Sequence, residues 1–365
     1  MKRLRWLLSA LLVVGACDGG AKLYRQTFPA MLGPVGVDIQ VVADSTARAD
    51  RAAGAAAAAI SQVNNLLSAH LATSEIARIN RHSGGTVHAS GQTVEVLRRA
   101  VEISELTGGA FDVTVGPLIR IWKPAIDDGK LPDPAHVARA RRLVGYEKLA
   151  LGENSVTLTE EGMAVDLGGI AKGYAVDQAV EALRLNGIRN ALVDAGGDGY
   201  ALGTKPDGSP WGVAVQHPRA EGREPLPVLL LLSDKAYATS GDYARSQYTE
   251  IDGERYAHII DPRTGRPARK AASVTVVAPD CTTADALATA ISVMGPDAGV
   301  RLVDSLDGVE CLVITVADGA LHTRASSGFD ALTAPGMDAP GRLDGKPADD
   351  RPQESEAAAL GDAHR

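Results

Sequence analysis

Aromatic side chains are scarce in this chain, with three Phe, three Trp and eight Tyr among 365 residues. Base-stacking platforms need several neighbouring rings, so the composition argues against single-stranded nucleic acid as a partner. Basic blocks are missing too, and a formal charge of −8 speaks against nucleic-acid binding of any kind. Cysteine is nearly absent. Cys17, Cys281 and Cys311 are too few for a disulfide framework, and no Cys/His spacing reads as a zinc site. A Cys281–Cys311 bond and two small buried hydrophobes are both compatible with the latter pair. No long-period repeat points to a solenoid.

The chain begins Met-Lys-Arg-Leu-Arg, continues with an apolar run over residues 6–14, and reaches Gly15-Ala16-Cys17. That run falls well short of the roughly 20 residues a membrane-spanning helix needs, so residues 1–16 read as a signal peptide. Val14-Gly-Ala-Cys17 is similar to a bacterial lipobox. Cys17 is then expected to be the lipidated first residue of the mature protein, with 17–26 a linker. That places the protein in the bacterial cell envelope, anchored on the periplasmic or outer side of the membrane. A cleaved secretory signal with an incidental cysteine is the alternative. Beyond about residue 334 the composition turns to Pro, Gly, Ala, Asp and Glu, so 334–365 is expected to be a disordered tail.

The stretch between, 27–333, is expected to form one domain. Alternation predicts a strand over 35–42, and 3.6-residue spacing predicts helices over 47–70, 74–80 and 93–106, the last closed by Gly108-Gly109. Residues 123–135 are rich in Pro and Asp and read as a surface loop. Helices follow over 135–143 and 174–185, with strands at 155–158, 191–193, 211–215, 228–232, 236–240, 273–277 and 310–315. Strands interleaved with helices indicate an α+β fold of mixed α/β layers.

Everything is organised around Ala164-Val-Asp-Leu-Gly-Gly-Ile-Ala-Lys-Gly-Tyr-Ala-Val-Asp177, read as a strand, a tight turn and a helix start. Gly168 and Gly169 permit positive φ and close approach to a ligand, and the first N–H groups of the helix suit an anion. Asp166 can receive a cation or a ligand hydroxyl, and Lys172 can meet a phosphate. An ordinary Gly-rich turn with a solvated Lys172 has the same signature. In Thr283-Ala-Asp-Ala-Leu-Ala-Thr289, Asp285 and Thr289 share one helix face and can converge on a hard cation such as Mg²⁺. Capping by Thr282 or Thr283, with Asp285 merely in a first turn, explains the segment as well. In His258-Ile-Ile-Asp-Pro-Arg-Thr-Gly265, His258 is suited to accept a hydroxyl proton near neutral pH, with Asp261 the alternative base. Structural roles at a strand end and a turn compete with both.

Together with Gly109-Ala-Phe-Asp-Val-Thr-Val-Gly-Pro117, Asp194-Ala-Gly-Gly-Asp198 and Thr239-Ser-Gly-Asp-Tyr243, these stretches resemble in order and spacing the ApbE family of FAD:protein FMN transferases, across about residues 27 to 330. The resemblance implies a T-fold-like α+β architecture with the FAD site between two subdomains. It implies Mg²⁺ held by Asp285, Thr289 and the carbonyl of Gly169, and FAD contacts from Met31, His70, Ala110, Phe111, Asp112, Asp166, Lys172, His258 and Ile260. Catalytic roles fall to His258 and Asp285. The chain departs from the family where Met31-Leu-Gly-Pro-Val stands in place of Met-Gly-Thr, and where Ser68-Ala-His70 replaces an aromatic that stacks on adenine. The implied reaction moves FMN from FAD to a Thr or Ser hydroxyl of an acceptor protein and releases AMP. An FAD pyrophosphatase and a non-catalytic FAD-binding lipoprotein are the alternatives.

Overall fold

The structure, a computed structural model, describes residues 12–14, 20–32, 35–220, 224–242, 248–336 and 342–343. Cys17, most of 1–16 and most of 334–365 lie outside the described residues. A ten-stranded sheet forms the centre. Its order is Leu12–Val14, Lys22–Leu32, Val35–Ala43, Ala191–Asp194, Gly199–Leu202, Lys235–Gly241, Ser273–Ala278, Glu310–Ala317, Ala320–Ala325 and Arg342–Leu343. Every neighbouring pair is antiparallel. Antiparallel pairing makes the fold α+β, as expected from the sequence.

Eight helices are present among the described residues: α1 (Thr46–Leu67), α2 (Glu75–Arg81), α3 (Gly91–Leu106), α4 (Gly116–Asp128), α5 (Pro134–Arg141), α6 (Ala171–Leu185), α7 (Cys281–Met294) and α8 (Pro296–Val303). On α1, Ala49, Ala52, Ala53, Ala56 and Ile60 recur at helical spacing and are fully buried, forming a narrow apolar stripe. Short side chains let α1 lie close on α6, and α6 in turn packs on α7 over one face of the sheet. The hairpin Trp211–Gln216/Pro225–Leu232 and Phe329 cover the other face, against Leu312 and Ile314. A third, smaller core holds Leu118 and Trp122 of α4, Ala140 of α5, and Ile260.

The expected loop over 123–135 is mostly helix. Helix α4 continues through Pro124 to Asp128 and stops at Gly129, whose φ is 65°. An interior proline costs a helix about 3 kcal/mol, but buried Trp122, Ala125 and Ile126 around it supply packing that outweighs the cost. Pro117 sits in the first turn of α4, where its missing N–H loses nothing, and so starts the helix. Trp122 Nε1 donates to the Gly265 carbonyl at 2.8 Å, tying this small core to the segment that carries His258.

The start of α7 is held by carboxylates, not by the threonines that the sequence suggested. Asp280 accepts from the Thr283 N–H, while Asp177 of α6 accepts from the Cys281 N–H at 2.8 Å, the Thr282 N–H at 2.8 Å and the Thr282 hydroxyl. Beside this contact, a Cβ on Gly173 would lie 2.1 Å from the Cys281 carbonyl oxygen and 2.9 Å from Asp285 Cβ. Backbone cannot yield as a side-chain tip does. Gly173→Ala is therefore expected to lower folding stability by about 3 kcal/mol or more, measured by urea denaturation. Cys281 and Cys311 are both free thiols, and both are buried.

Candidate active site

Two cavities, of about 200 and 260 Å³, share Asp166, Gly168 and Lys172 as common walls. The first is bounded by the end of α1 and by His70. Around the second stand Ala110, Phe111, Asp112, Gly169, Ser240, His258, Ile260, Asp285 and Thr289. The fold thus gathers residues from the α3–α4 loop, the start of α6, the strand Lys235–Gly241, the 258–262 segment and α7. The residues that the resemblance assigns to FAD and Mg²⁺ border one cavity or the other, with Met31 apart: its backbone lies in the strand Lys22–Leu32, and its side chain is outside the described residues.

The turn at 168–169 differs from expectation in its cause. Neither glycine has a positive φ. Space is the constraint instead: a Cβ on Gly169 would lie 2.8 Å from Thr289 Oγ1 and 3.3 Å from the Phe111 ring, and one on Gly168 would lie 3.0 Å from Asp166 Oδ1. Ala164 makes an isolated bridge to Val115 and the Asp166 N–H donates to the Val113 carbonyl at 2.7 Å, so the expected strand is reduced to a short contact with the 113–115 segment. Asp166 Oδ1 accepts the Gly168 N–H at 2.8 Å and holds the turn.

Asp285 is buried, not on a helix surface. Its Oδ2 accepts the Gly173 N–H at 3.0 Å. Burial and the nearby Asp198 raise its pKa, against the pull of Lys172 and of the Gly173 N–H. Lys172 is ion-paired to Asp198 and is not solvated. Burial opposes its charge, but Asp198 and Asp285 outweigh that and raise the pKa of the ammonium above the lysine range. Two buried carboxylates therefore share one ammonium, an arrangement that favours a further cation. Thr289 Oγ1 lies 3.3 Å from Ser240 Oγ and against the Gly169 backbone. One carboxylate, two hydroxyls and a backbone carbonyl are hard oxygen donors of the kind Mg²⁺ takes, and Mg²⁺ needs only one or two carboxylates. Among the described residues no cluster of three or more His, Cys, Asp and Glu is placed to hold a metal ion.

Asp112 lines the cavity but its carboxylate is already engaged. Oδ1 accepts from the Thr114 N–H and hydroxyl at 2.8 and 2.6 Å, and Oδ2 from the Tyr146 N–H at 2.9 Å. Its part is to shape the loop that presents Ala110 and Phe111. Asp261 is equally committed: Arg263 donates to it from its backbone N–H and its guanidinium, at 3.0 to 3.2 Å. His258 is exposed and lines the cavity, whose wall does not include Asp261.

Sequence reasoning missed Asp198 and Ser240. Both sit in stretches that carried the family resemblance, but their Gly neighbours offered a sufficient turn explanation. Asp198 is buried, and beyond Lys172 it accepts the Thr239 N–H at 3.1 Å, linking the 194–198 turn to the strand that carries Ser240.

A family model described as the ApbE family matches residues 35–313. This chain belongs to the ApbE family. It is 37% identical over 274 residues to the FAD:protein FMN transferase of Vibrio cholerae, spanning 74% of this chain and 81% of the relative. The corresponding protein of Haemophilus influenzae is 35% identical over 285 residues, or 76% of this chain and 82% of that one. Among solved structures, flavin transferase ApbE from Vibrio cholerae superimposes with a TM-score of 0.74 at 33% identity, covering 86% of this chain and 99% of that one. The apo form of Pseudomonas stutzeri flavinyl transferase ApbE gives 0.76 at 28% identity, covering 87% and 98%.

Proposed function

We propose that this ApbE protein transfers FMN from FAD to a Thr or Ser hydroxyl of an acceptor protein in a Mg²⁺-dependent reaction. The observation that carries the reading is the pair of cavities meeting at Asp166, Gly168 and Lys172, with the Asp285, Thr289 and Gly169 cradle beside that junction and His258 on the wall. An elongated dinucleotide suits two joined cavities. In this reading its adenine lies toward His70, where an imidazole offers a smaller stacking face than a tyrosine. Its flavin half lies toward Phe111, Ile260 and His258.

Asp285, Thr289 and the Gly169 carbonyl would hold Mg²⁺, which when bound offsets negative charge on the pyrophosphate. The acceptor oxygen attacks the phosphorus on the FMN side, its proton passes to His258, and the bond to the AMP phosphate breaks. FMN becomes the phosphoester of the acceptor, and AMP leaves. No electron changes hands. Lys172, held by Asp198, keeps a fixed positive charge where the phosphates pass.

The test is incubation with FAD, Mg²⁺ and an acceptor protein, read by in-gel flavin fluorescence and nucleotide chromatography. Fluorescent acceptor with stoichiometric AMP supports the transferase. Free FMN with AMP would support a pyrophosphatase, and unchanged FAD a carrier.

The same reading extends to anchoring in the cell envelope, on the strength of Val14-Gly-Ala-Cys17. Replacing Cys17 by Ser is expected to move the protein from the membrane fraction to the soluble fraction, since acyl chains supply the affinity. Mass spectrometry of the native mature N-terminus without an acyl group would refute the anchor. Among the described residues no helix is long and apolar enough to cross a membrane.

A further inference from the structure

A third cavity, of about 210 Å³, opens directly beside the candidate active site. Two separate segments connect them. Gly241 and His258 border the groove, while their chain neighbours Asp242 and Ala257 border the third cavity. Four cationic side chains, Arg219, Arg255, Arg269 and Lys270, face one carboxylate there among the described residues, that of Asp242. Arg219 already engages Asp242 with both terminal nitrogens, at 2.6 and 2.9 Å. Arg255 is left with a poorer share: its Nε lies 3.8 Å from Asp242 Oδ2 and, although buried, has no hydrogen-bond partner among the described residues. Its guanidinium is stacked 3.5 Å over the Tyr248 ring, which fixes the fork in place. Arg269 pairs with Glu254, which is not part of the cavity wall, and Lys270 donates to the Met294 carbonyl at 3.3 Å. Both are exposed.

Four cations against one carboxylate among the described residues leave positive charge unneutralised, and a planar guanidinium fork is suited to a carboxylate. We propose that this pocket receives an Asp or Glu side chain of the acceptor polypeptide, a few residues from the hydroxyl that takes FMN. The inference rests on the transferase reading above and adds to it how the acceptor is recognised. A carboxylate there sets the register of the incoming chain relative to His258. The surplus positive charge also draws acidic segments toward the mouth of the site.

The experiment uses two fluorescent peptides that each contain one Thr, one with flanking Asp residues and the other with Asn in their place. Binding is measured by anisotropy on the FAD- and Mg²⁺-loaded protein. The wild-type protein is expected to bind the acidic peptide about tenfold more tightly, with the preference shrinking as salt is raised. Arg269→Glu/Lys270→Glu is expected to abolish that preference without altering FAD affinity. Lys270→Glu alone, which leaves the Arg269–Glu254 pair intact, is expected to reduce it. Equal binding of the two peptides by wild type, or an unchanged preference in the variants, overturns the proposal. Weakened FAD binding in the variants overturns it too, because the pocket would then serve a phosphate of FAD. Failure of the wild-type protein to flavinylate any acceptor, with the peptide preference intact, would refute the transferase reading and is distinguishable from these outcomes.

Discussion

Asp285→Asn is expected to lower Mg²⁺-dependent FMN transfer by about 10³-fold or more while the protein stays folded. Asparagine is the informative substitution because Asp285 is buried and accepts the Gly173 N–H. An amide oxygen can keep that bond and the shape of the α6–α7 contact, and it removes only the charge. Alanine would in addition leave the Gly173 N–H without its acceptor, at a cost of about 1–3 kcal/mol, and so mix stability with chemistry. The measurement is single-turnover transfer across a Mg²⁺ titration, beside a thermal melt. Wild-type rates at every Mg²⁺ concentration, in a folded variant, would remove Asp285 from the metal site.

His258→Ala is expected to slow the chemical step by about 10²- to 10⁴-fold at saturating FAD, the usual range for loss of a general base. FAD affinity is expected to hold, because the cradle of Gly169, Asp285 and Thr289 and the Lys172–Asp198 pair come from other elements. Stability is expected to hold as well, since the side chain is exposed. Single-turnover transfer measured beside FAD affinity separates the cases. A histidine with a merely structural role would lower affinity and melting temperature together with the rate. An unchanged rate would eliminate His258 as the base and, with Asp261 bound by Arg263, would point to a proton acceptor outside the side chains considered.

The sequence by itself determined the family and most of the element types, and it named residues that the fold brings to the two cavities. Helical alanine spacing in α1, alternation in the strands and the Asn186-Gly187 stop of α6 are local signals, and local signals survive in a linear reading. The Asp285/Thr289 pair was legible for the same reason, because four residues along one helix fix a shared face. Only the tertiary structure decided what each residue faces. Pro124 reads as a helix breaker until the small core around Trp122 is assembled. Gly168 and Gly169 read as positive-φ turns, whereas the constraint on Gly169 is Thr289, 120 positions away in the chain, and no local pattern encodes that distance. Lys172 looks solvated until the 194–198 turn folds back and sets Asp198 against it. Asp112 and Asp261 look as available as Asp285, yet Asp112 is held by Thr114 and by the distant Tyr146 N–H, and Asp261 by Arg263. Type and periodicity are properties of neighbours in sequence. Burial, charge partners and the space left for a Cβ belong to neighbours in space, and those exist only once the sheet and its helices have closed.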